Sequence, residues 1–359
     1  MYDIDFFKNT DNLKNKITKG FLKNSDCDNI DVELETLRKK FPYIYNIETT
    51  NYCNMKCVMC PRTMFMTRKN IWIDDKLFEK IISNVKTHDQ KSLEYFWHWV
   101  ENDYDQKVNE VSENGFYFSV ISRHLVLHGF GEPFLDKKLI PRIELCTKKK
   151  IPTYFSCTPA TMTVAKGEKA MEAGLGVLKF SLDAMDERKI KEIRGKKADF
   201  ADSIEKILKL LDTKKKKNFK TLLVPCMIDL AVGPNDVDMH KKFLEFWSDK
   251  DVFAYIKSQD NRYMYENDKD LKNKSHYSKQ YCEFPWLSVS IMADGNVVPC
   301  TQISNHELVL GNINKNTLEE IWNGKKYQEL RRMHISGKFP KGHKCNEKCD
   351  MKKIYQYLS

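Results

Sequence analysis

The sequence predicts an α/β fold, a partial barrel of parallel strands, and three observations carry that expectation. Short β-branched and aromatic runs alternate with amphipathic stretches from Tyr43 to about Ile256, the pattern of repeated βα units on a parallel sheet. The six strand-like runs fall short of the eight that close a full barrel, so the expected form is a partial (β/α)6, TIM-like barrel. The residues with the most distinctive chemistry directly follow strand-like runs, and active sites on such sheets lie beyond the carboxyl ends of the strands.

Residues 1–42 read as a charged, helical cap ahead of the barrel, which is expected over 43–260, with a smaller extension over 261–359. The expected strands are Tyr43–Glu48, Leu125–Gly129, Thr153–Cys157, Val177–Leu182, Thr221–Ile228 and Val252–Ile256. Amphipathic stretches between them predict helices over Asp75–Val85, Ile140–Lys149, Ala165–Ala173, Phe200–Leu211 and Asn235–Ser248. Residues 87–120 are an insertion rich in charge and aromatics, including Tyr95-Phe-Trp-His-Trp-Val100, Tyr104, Phe116, Tyr117 and Phe118. A connection of that length is either a lid or binding element, or a satellite helix packing its aromatics on the barrel.

A chain of 359 residues can bury a full core with a smaller domain beside it. The net charge of +10 arises from 60 basic and 50 acidic residues. Lysine runs at 148–150 and 214–217 read as solvated helix ends, where cations are favoured, rather than as a nucleic-acid patch. No apolar run approaches the ~20 residues that span a bilayer. The first residues lack a signal peptide's basic flank and apolar segment, so a cytoplasmic protein is expected. Eleven cysteines then point to metal or redox chemistry rather than to disulfides.

Cys53, Cys57 and Cys60 follow the first strand as C-x3-C-x2-C. Iron–sulfur cubes normally take four thiolates, so three thiolates leave one iron open to an exchangeable ligand. Zinc is the alternative, but it usually needs a second cysteine pair or histidines close by. His128-Gly-Phe-Gly-Glu-Pro133 follows the second strand, and glycines there allow close backbone approach. Ser181 and Asp183 end the fourth strand, and Arg194 follows in Ile193-Arg-Gly195.

Together these motifs resemble the radical S-adenosylmethionine (SAM) superfamily. The resemblance implies that Cys53, Cys57 and Cys60 hold a SAM-binding 4Fe-4S cluster, and that Gly129, Gly131 and Glu132 contact the amino group of SAM. It further implies cofactor-binding roles for Ser181, Asp183 and Arg194, the arginine fork suiting a planar carboxylate. At the third strand Ser156-Cys-Thr-Pro-Ala160 stands where the family often has a Thr-Asn pair, which places the thiol of Cys157 at the barrel mouth.

From Cys282 the chain resembles the SPASM and twitch extensions of such enzymes, in Cys282, Gly295-x4-Cys300 and Cys345-x3-Cys349. Four cysteines suffice for one auxiliary 4Fe-4S cluster with no open iron, in an electron-relay or structural role. A zinc ribbon is the alternative, although Cys282 and Cys300 lie 18 residues apart rather than as a close pair.

The activity these resemblances imply is hydrogen abstraction from a C–H bond by a 5′-deoxyadenosyl radical, completed as a two-electron oxidation. The substrate is expected to be a small polar molecule of carbohydrate or aminocyclitol type, with flavodoxin or ferredoxin as electron donor. Epimerisation is the close alternative, with Cys157 or Cys226 returning a hydrogen atom from the opposite face. Peptide maturation is a third option, and an iron–sulfur carrier or sensor the non-enzymatic one. No membrane or nucleic-acid partner is expected.

Overall fold

The computed structural model describes residues 1–11, 13, 26–107, 110–230, 236–258 and 282–347. Nine strands form one open sheet in the order β6-β5-β4-β3-β2-β1-β7-β8-β9. They are β1 Tyr43–Ile47, β2 Leu125–Val126, β3 Thr153–Cys157, β4 Val177–Ser181, β5 Leu222–Asp229, β6 Tyr255–Ser258, β7 Ser288–Ile291, β8 Asn296–Val298 and β9 Gly311–Asn312. Neighbours from β6 across to β7 pair in parallel, whereas β8 and β9 are antiparallel. The expected partial barrel is therefore present, unclosed.

Two expected strands are displaced. The second ends at Val126 rather than Gly129: Leu127 N still donates to the Tyr154 carbonyl at 2.8 Å, but beyond it the backbone groups take partners from side chains. The amide of Asn46 donates to the His128 carbonyl at 3.1 Å, and Phe130 N donates to a Glu48 carboxylate oxygen at 3.3 Å. The sixth runs over Tyr255–Ser258, since Val252 is still in a tight turn closed on the Lys250 carbonyl.

The helices of six residues or more among the described residues are α1 Ile4–Asn9, α2 Cys27–Leu37, α3 Asp75–Ile82, α4 Gln90–Tyr104, α5 Glu113–Arg123, α6 Leu139–Lys148, α7 Val164–Glu172, α8 Glu187–Arg194, α9 Phe200–Lys217, α10 Asp236–Trp247, α11 Leu318–Asn323 and α12 Lys325–Ser336. Every expected helix stands in place. α9 continues through its lysine run and stops at Asn218 in the left-handed region, φ 54°, so four cations sit where the helix dipole favours them.

The insertion is helical, not an open loop. Asp89 caps α4 by accepting from Ser92 N at 2.8 Å. Phe96, Trp97 and Trp99 of α4 share a core with Phe6 and Phe7 of α1 and with Phe284 and Trp286 from the C-terminal region. α5 behaves differently. Its Phe116 and Val120 enter the barrel and pack with Val126, Tyr154, Val177, Val224, Cys226 and Tyr255. The second half of the insertion thus fills part of the barrel interior.

The C-terminal segment continues the barrel sheet. β7 pairs with β1 over Tyr43–Ser288 to Ile47–Ile291, the hairpin of β8 and β9 extends it, and α12 packs on α2.

Candidate active site

The loop after β1 carries the cysteine triplet, and its shape is set by its neighbours. Buried Asn51 accepts from Ile71 N at 2.8 Å and donates to the Lys69 carbonyl at 2.9 Å. Val58 N reaches the Ile193 carbonyl at 2.9 Å and Lys56 N the Arg194 carbonyl at 3.4 Å, tying the loop to the end of α8. Cys57 is buried, while Cys53 and Cys60 are half-buried. Burial pushes the Cys53 thiol up to about 11 and raises that of Cys57. Both are therefore thiols until a metal centre supplies positive charge, the usual condition of a thiolate ligand set. Among the described residues no three His, Cys, Asp or Glu side chains are placed to hold a single metal ion. The fit of the triplet to an iron–sulfur cube rests on its donors: three soft ligands on one pinned loop, with a buried guanidinium beside them.

That guanidinium is Arg194. It ion-pairs with Asp183, donates to Thr158 Oγ1 at 3.3 Å and lies 3.6 Å from Cys57 Sγ. Its Nε is buried with no partner, a donor left over for a ligand at this place. Asp183 also accepts from Ile228 N at 3.0 Å, so it braces the ends of β4 and β5.

Gly129 and Gly131 approach protein rather than open space. A Cβ on Gly131 would stand 2.1 Å from the Thr50 carbonyl oxygen, and one on Gly129 would stand 2.8 Å from Glu48. The glycine motif therefore lies directly on the cysteine loop, where Glu132 N donates to the Tyr52 carbonyl at 2.8 Å. The Glu132 side chain turns inward and accepts from Thr158 N at 2.9 Å and Phe134 N at 3.3 Å. Burial still pushes its carboxyl up to about 7, so a cation seated beside it would be welcomed.

The remaining candidates divide between the two faces of the sheet. Ser181 meets Ser156 hydroxyl to hydroxyl at 3.1 Å. Cys226 belongs to the cluster inside the barrel and hydrogen-bonds with Tyr255. Cys157 belongs to the outer core under the helices, beside Glu132 and Arg194. Burial raises both thiols. Cys282 is buried in the core shared with α1 and α4 and Cys300 packs against that core, whereas Cys345 packs against the barrel core. Cys349 lies outside the described residues.

Sequence reasoning missed an ion pair and a cavity. Arg68 grips both oxygens of Glu48 at 2.7 Å each, with both side chains 3% exposed. Ala293 N adds a bond to Glu48 at 3.2 Å and Arg68 donates to the Ser304 carbonyl at 2.8 Å, locking β1 to the C-terminal segment. Arg68 lies in a polar stretch that gave no signal. Beside this pair is a cavity of about 200 Å³ inside the barrel. Gly129 and Phe130 line one side, Cys300, Thr301 and Ile303 another, and Phe116 of α5 part of the rest.

The Radical SAM superfamily model matches residues 47–246, and a model of an iron-sulfur cluster-binding domain, SPASM, matches residues 282–350. No curated protein matches the sequence. Similar solved structures include Streptococcus suis SuiB bound to precursor peptide SuiA, with TM-score 0.52 and 13% identity over 85% of this chain and 71% of that one. Another is anSMEcpe with bound AdoMet, with TM-score 0.52 and 14% identity over 88% of this chain and 90% of that one. BtrN in complex with AdoMet and 2-DOIA gives TM-score 0.46 and 15% identity over 82% and 88%. The chain belongs to the radical SAM superfamily, and its cofactors are a SAM-binding 4Fe-4S cluster, SAM, and iron–sulfur in a SPASM-type C-terminal domain.

Proposed function

We propose that this chain is a radical SAM oxidoreductase that removes hydrogen from a C–H bond of a small polar molecule seated in the barrel. When bound, the cofactors supply a 5′-deoxyadenosyl radical to take the hydrogen atom and an iron–sulfur acceptor for a second electron. Cys53, Cys57 and Cys60 would hold the first cluster. Gly129, Gly131, Glu132, Ser181, Asp183 and Arg194 would position SAM, with Glu132 serving its ammonium and Arg194 Nε its carboxylate. Cys282, Cys300, Cys345 and Cys349 would hold one auxiliary 4Fe-4S cluster, and a flavodoxin or ferredoxin would deliver electrons.

The observation that carries this reading is the cavity. It is lined by Gly129 of the glycine motif and by Cys300, and Phe116 and Val120 of α5 occupy part of the barrel interior, leaving a space of small-molecule size. Its polar wall, with Asn46, His128, Lys179 and Lys257, suits a small hydrophilic substrate. A second reading, epimerisation, draws on Cys226, which faces the barrel interior where Cys157 does not.

One experiment separates them. Reconstituted enzyme is incubated anaerobically with SAM, dithionite and candidate substrates in deuterated water. Oxidised product equimolar with 5′-deoxyadenosine, without solvent deuterium, supports oxidation. Deuterium at the reacting carbon, abolished by Cys226→Ala, moves the assignment to epimerisation. Formation of neither product across carbohydrates, aminocyclitols and their acids counts against both.

A further inference from the structure

We infer that the exposed side of the cysteine loop is the docking surface of a small one-electron carrier protein whose own face is acidic. This rests on the reading of Cys53, Cys57 and Cys60 as holders of the cluster that takes the electron. Of the nine large apolar side chains exposed among the described residues, Val58, Met64, Phe65 and Trp72 lie on this one stretch, each 42–60% exposed. Single exposed apolar residues are ordinary, but a concentration of them marks an interaction site. The stretch is also held in shape. Arg62 Nε donates to the Asn51 carbonyl at 2.9 Å, and the Asn305 amide donates to the Phe65 carbonyl at 3.0 Å while accepting from Thr67 N at 2.8 Å. A surface fixed before binding loses little order when a partner covers it.

Charge selects the partner. No Asp or Glu occurs between Glu48 and Asp74. Within that gap Lys56 and Lys69 are exposed, and a Cβ on Gly195 would stand 3.3 Å from the Cβ of Lys56, which brings the exposed Lys196 and Lys197 to the same edge. None of these four lysines has a carboxylate partner among the described residues. The carboxylates of neighbouring elements are committed: Asp75 and Asp136 to Arg142, Glu307 to Lys344, Glu192 to Arg188 at 4.0 Å, and Asp199 to the first turn of α9. An apolar centre with unpaired cations about it suits a partner that presents an apolar redox edge rimmed by carboxylates. Position gives the contact its purpose. Electron tunnelling falls steeply with distance, and Cys53 and Cys60 are only half-buried on the same loop, so a carrier seated here meets the protein where the cluster is held. One electron leaves the reduced carrier and enters the cluster, with no bond made or broken and no proton moved.

The probes are an acidic flavodoxin and an acidic 4Fe-4S ferredoxin, with anaerobic holoenzyme as the receptor. Carbodiimide cross-linking of carrier carboxylates to enzyme lysines, read by peptide mass spectrometry, is expected to mark Lys56, Lys69, Lys196 or Lys197. Cross-links confined to lysines elsewhere, or binding of neither carrier, overturn the surface. Affinity by fluorescence anisotropy is expected to fall roughly ten-fold between about 50 and 300 mM salt. Lys196→Glu/Lys197→Glu should weaken binding roughly ten-fold and slow cluster reduction by the carrier to match, while reduction by dithionite keeps its wild-type rate. Met64→Glu should weaken binding by a similar factor. Lys215→Glu/Lys216→Glu, at the end of α9 that leads into β5 and so at the opposite ends of the strands, should change nothing. Wild-type affinity in the first two variants overturns the proposal. A holoenzyme dimer that Met64→Glu returns to monomer overturns it in favour of a second copy, and equal affinity for a single-stranded oligonucleotide overturns it in favour of a general polyanion surface. The cross-linking arm stands on the wild-type protein if a variant fails to fold. A cluster that dithionite reduces without 5′-deoxyadenosine forming from SAM sinks the radical assignment instead, whatever the carriers do, so the two failures are distinguishable.

Discussion

Replacing Gly131 by alanine tests whether the glycine motif is built to lie on the cysteine loop. The added Cβ would stand 2.1 Å from the Thr50 carbonyl oxygen and 2.6 Å from its carbon. Gly131 is not among the residues at positive φ, so the cost is steric rather than conformational. Carbon and carbonyl oxygen settle no closer than about 3.3 Å, so the two loops must part by roughly 1 Å. The Glu132 N to Tyr52 O bond, now 2.8 Å, would stretch past the ~3.2 Å limit of such bonds. Losing it costs ~1 kcal/mol, and forced repacking adds ~1–3 kcal/mol, a total of about 2–4 kcal/mol. Denaturant unfolding of the anaerobic protein reads the loss, and iron per chain after gel filtration reads the damage to the triplet. A variant within ~0.5 kcal/mol of wild type that keeps its full iron would refute the steric argument.

Glu48→Gln should destabilise by ~3–5 kcal/mol by leaving Arg68 buried without its counter-ion, and the double variant Glu48→Gln/Arg68→Met should lose less than the sum of the singles in a denaturation cycle. Phe116→Ala removes a side chain from the barrel interior; unfolding should show a loss of ~3–5 kcal/mol. Arg194→Lys keeps a charge for Asp183 but gives up the fork that reaches Thr158 and Cys57; SAM affinity by equilibrium dialysis should fall roughly ten-fold. Burial lowers the His124 imidazole to about 4 from 6.5, so its neutral form contributes stability that is full above the unfolded value and lost as pH falls from 6.5 towards 4. A His124→Gln protein should show a flatter acid-side stability curve, by up to ~2–3 kcal/mol.

Strand and helix order in the barrel was legible because each βα unit carries its own local pattern. Thr153–Cys157 formed as read because all of its signal lies within five residues. What escaped was long-range. β7 has four buried residues and no alternation, and its partner Tyr43 lies 245 positions before Ser288. Nothing local marks it as an extension of the barrel. The insertion's aromatics were conspicuous, but whether Phe116 packs outside or enters the barrel depends on tertiary placement. The cysteine triplet and glycine motif were readable as chemistry, yet the reason for the glycines was not. They admit the neighbouring loop and side chain, a contact between residues roughly eighty apart in sequence.

The most direct measurement is anaerobic reconstitution with iron and sulfide, counting iron per chain and assaying 5′-deoxyadenosine from SAM and dithionite. About eight irons per chain with SAM cleavage is the expected result for one SAM-binding and one auxiliary 4Fe-4S cluster. About four irons with zinc at the C-terminal cysteines would contradict the auxiliary cluster, and a fully loaded protein that leaves SAM intact would contradict the radical chemistry itself.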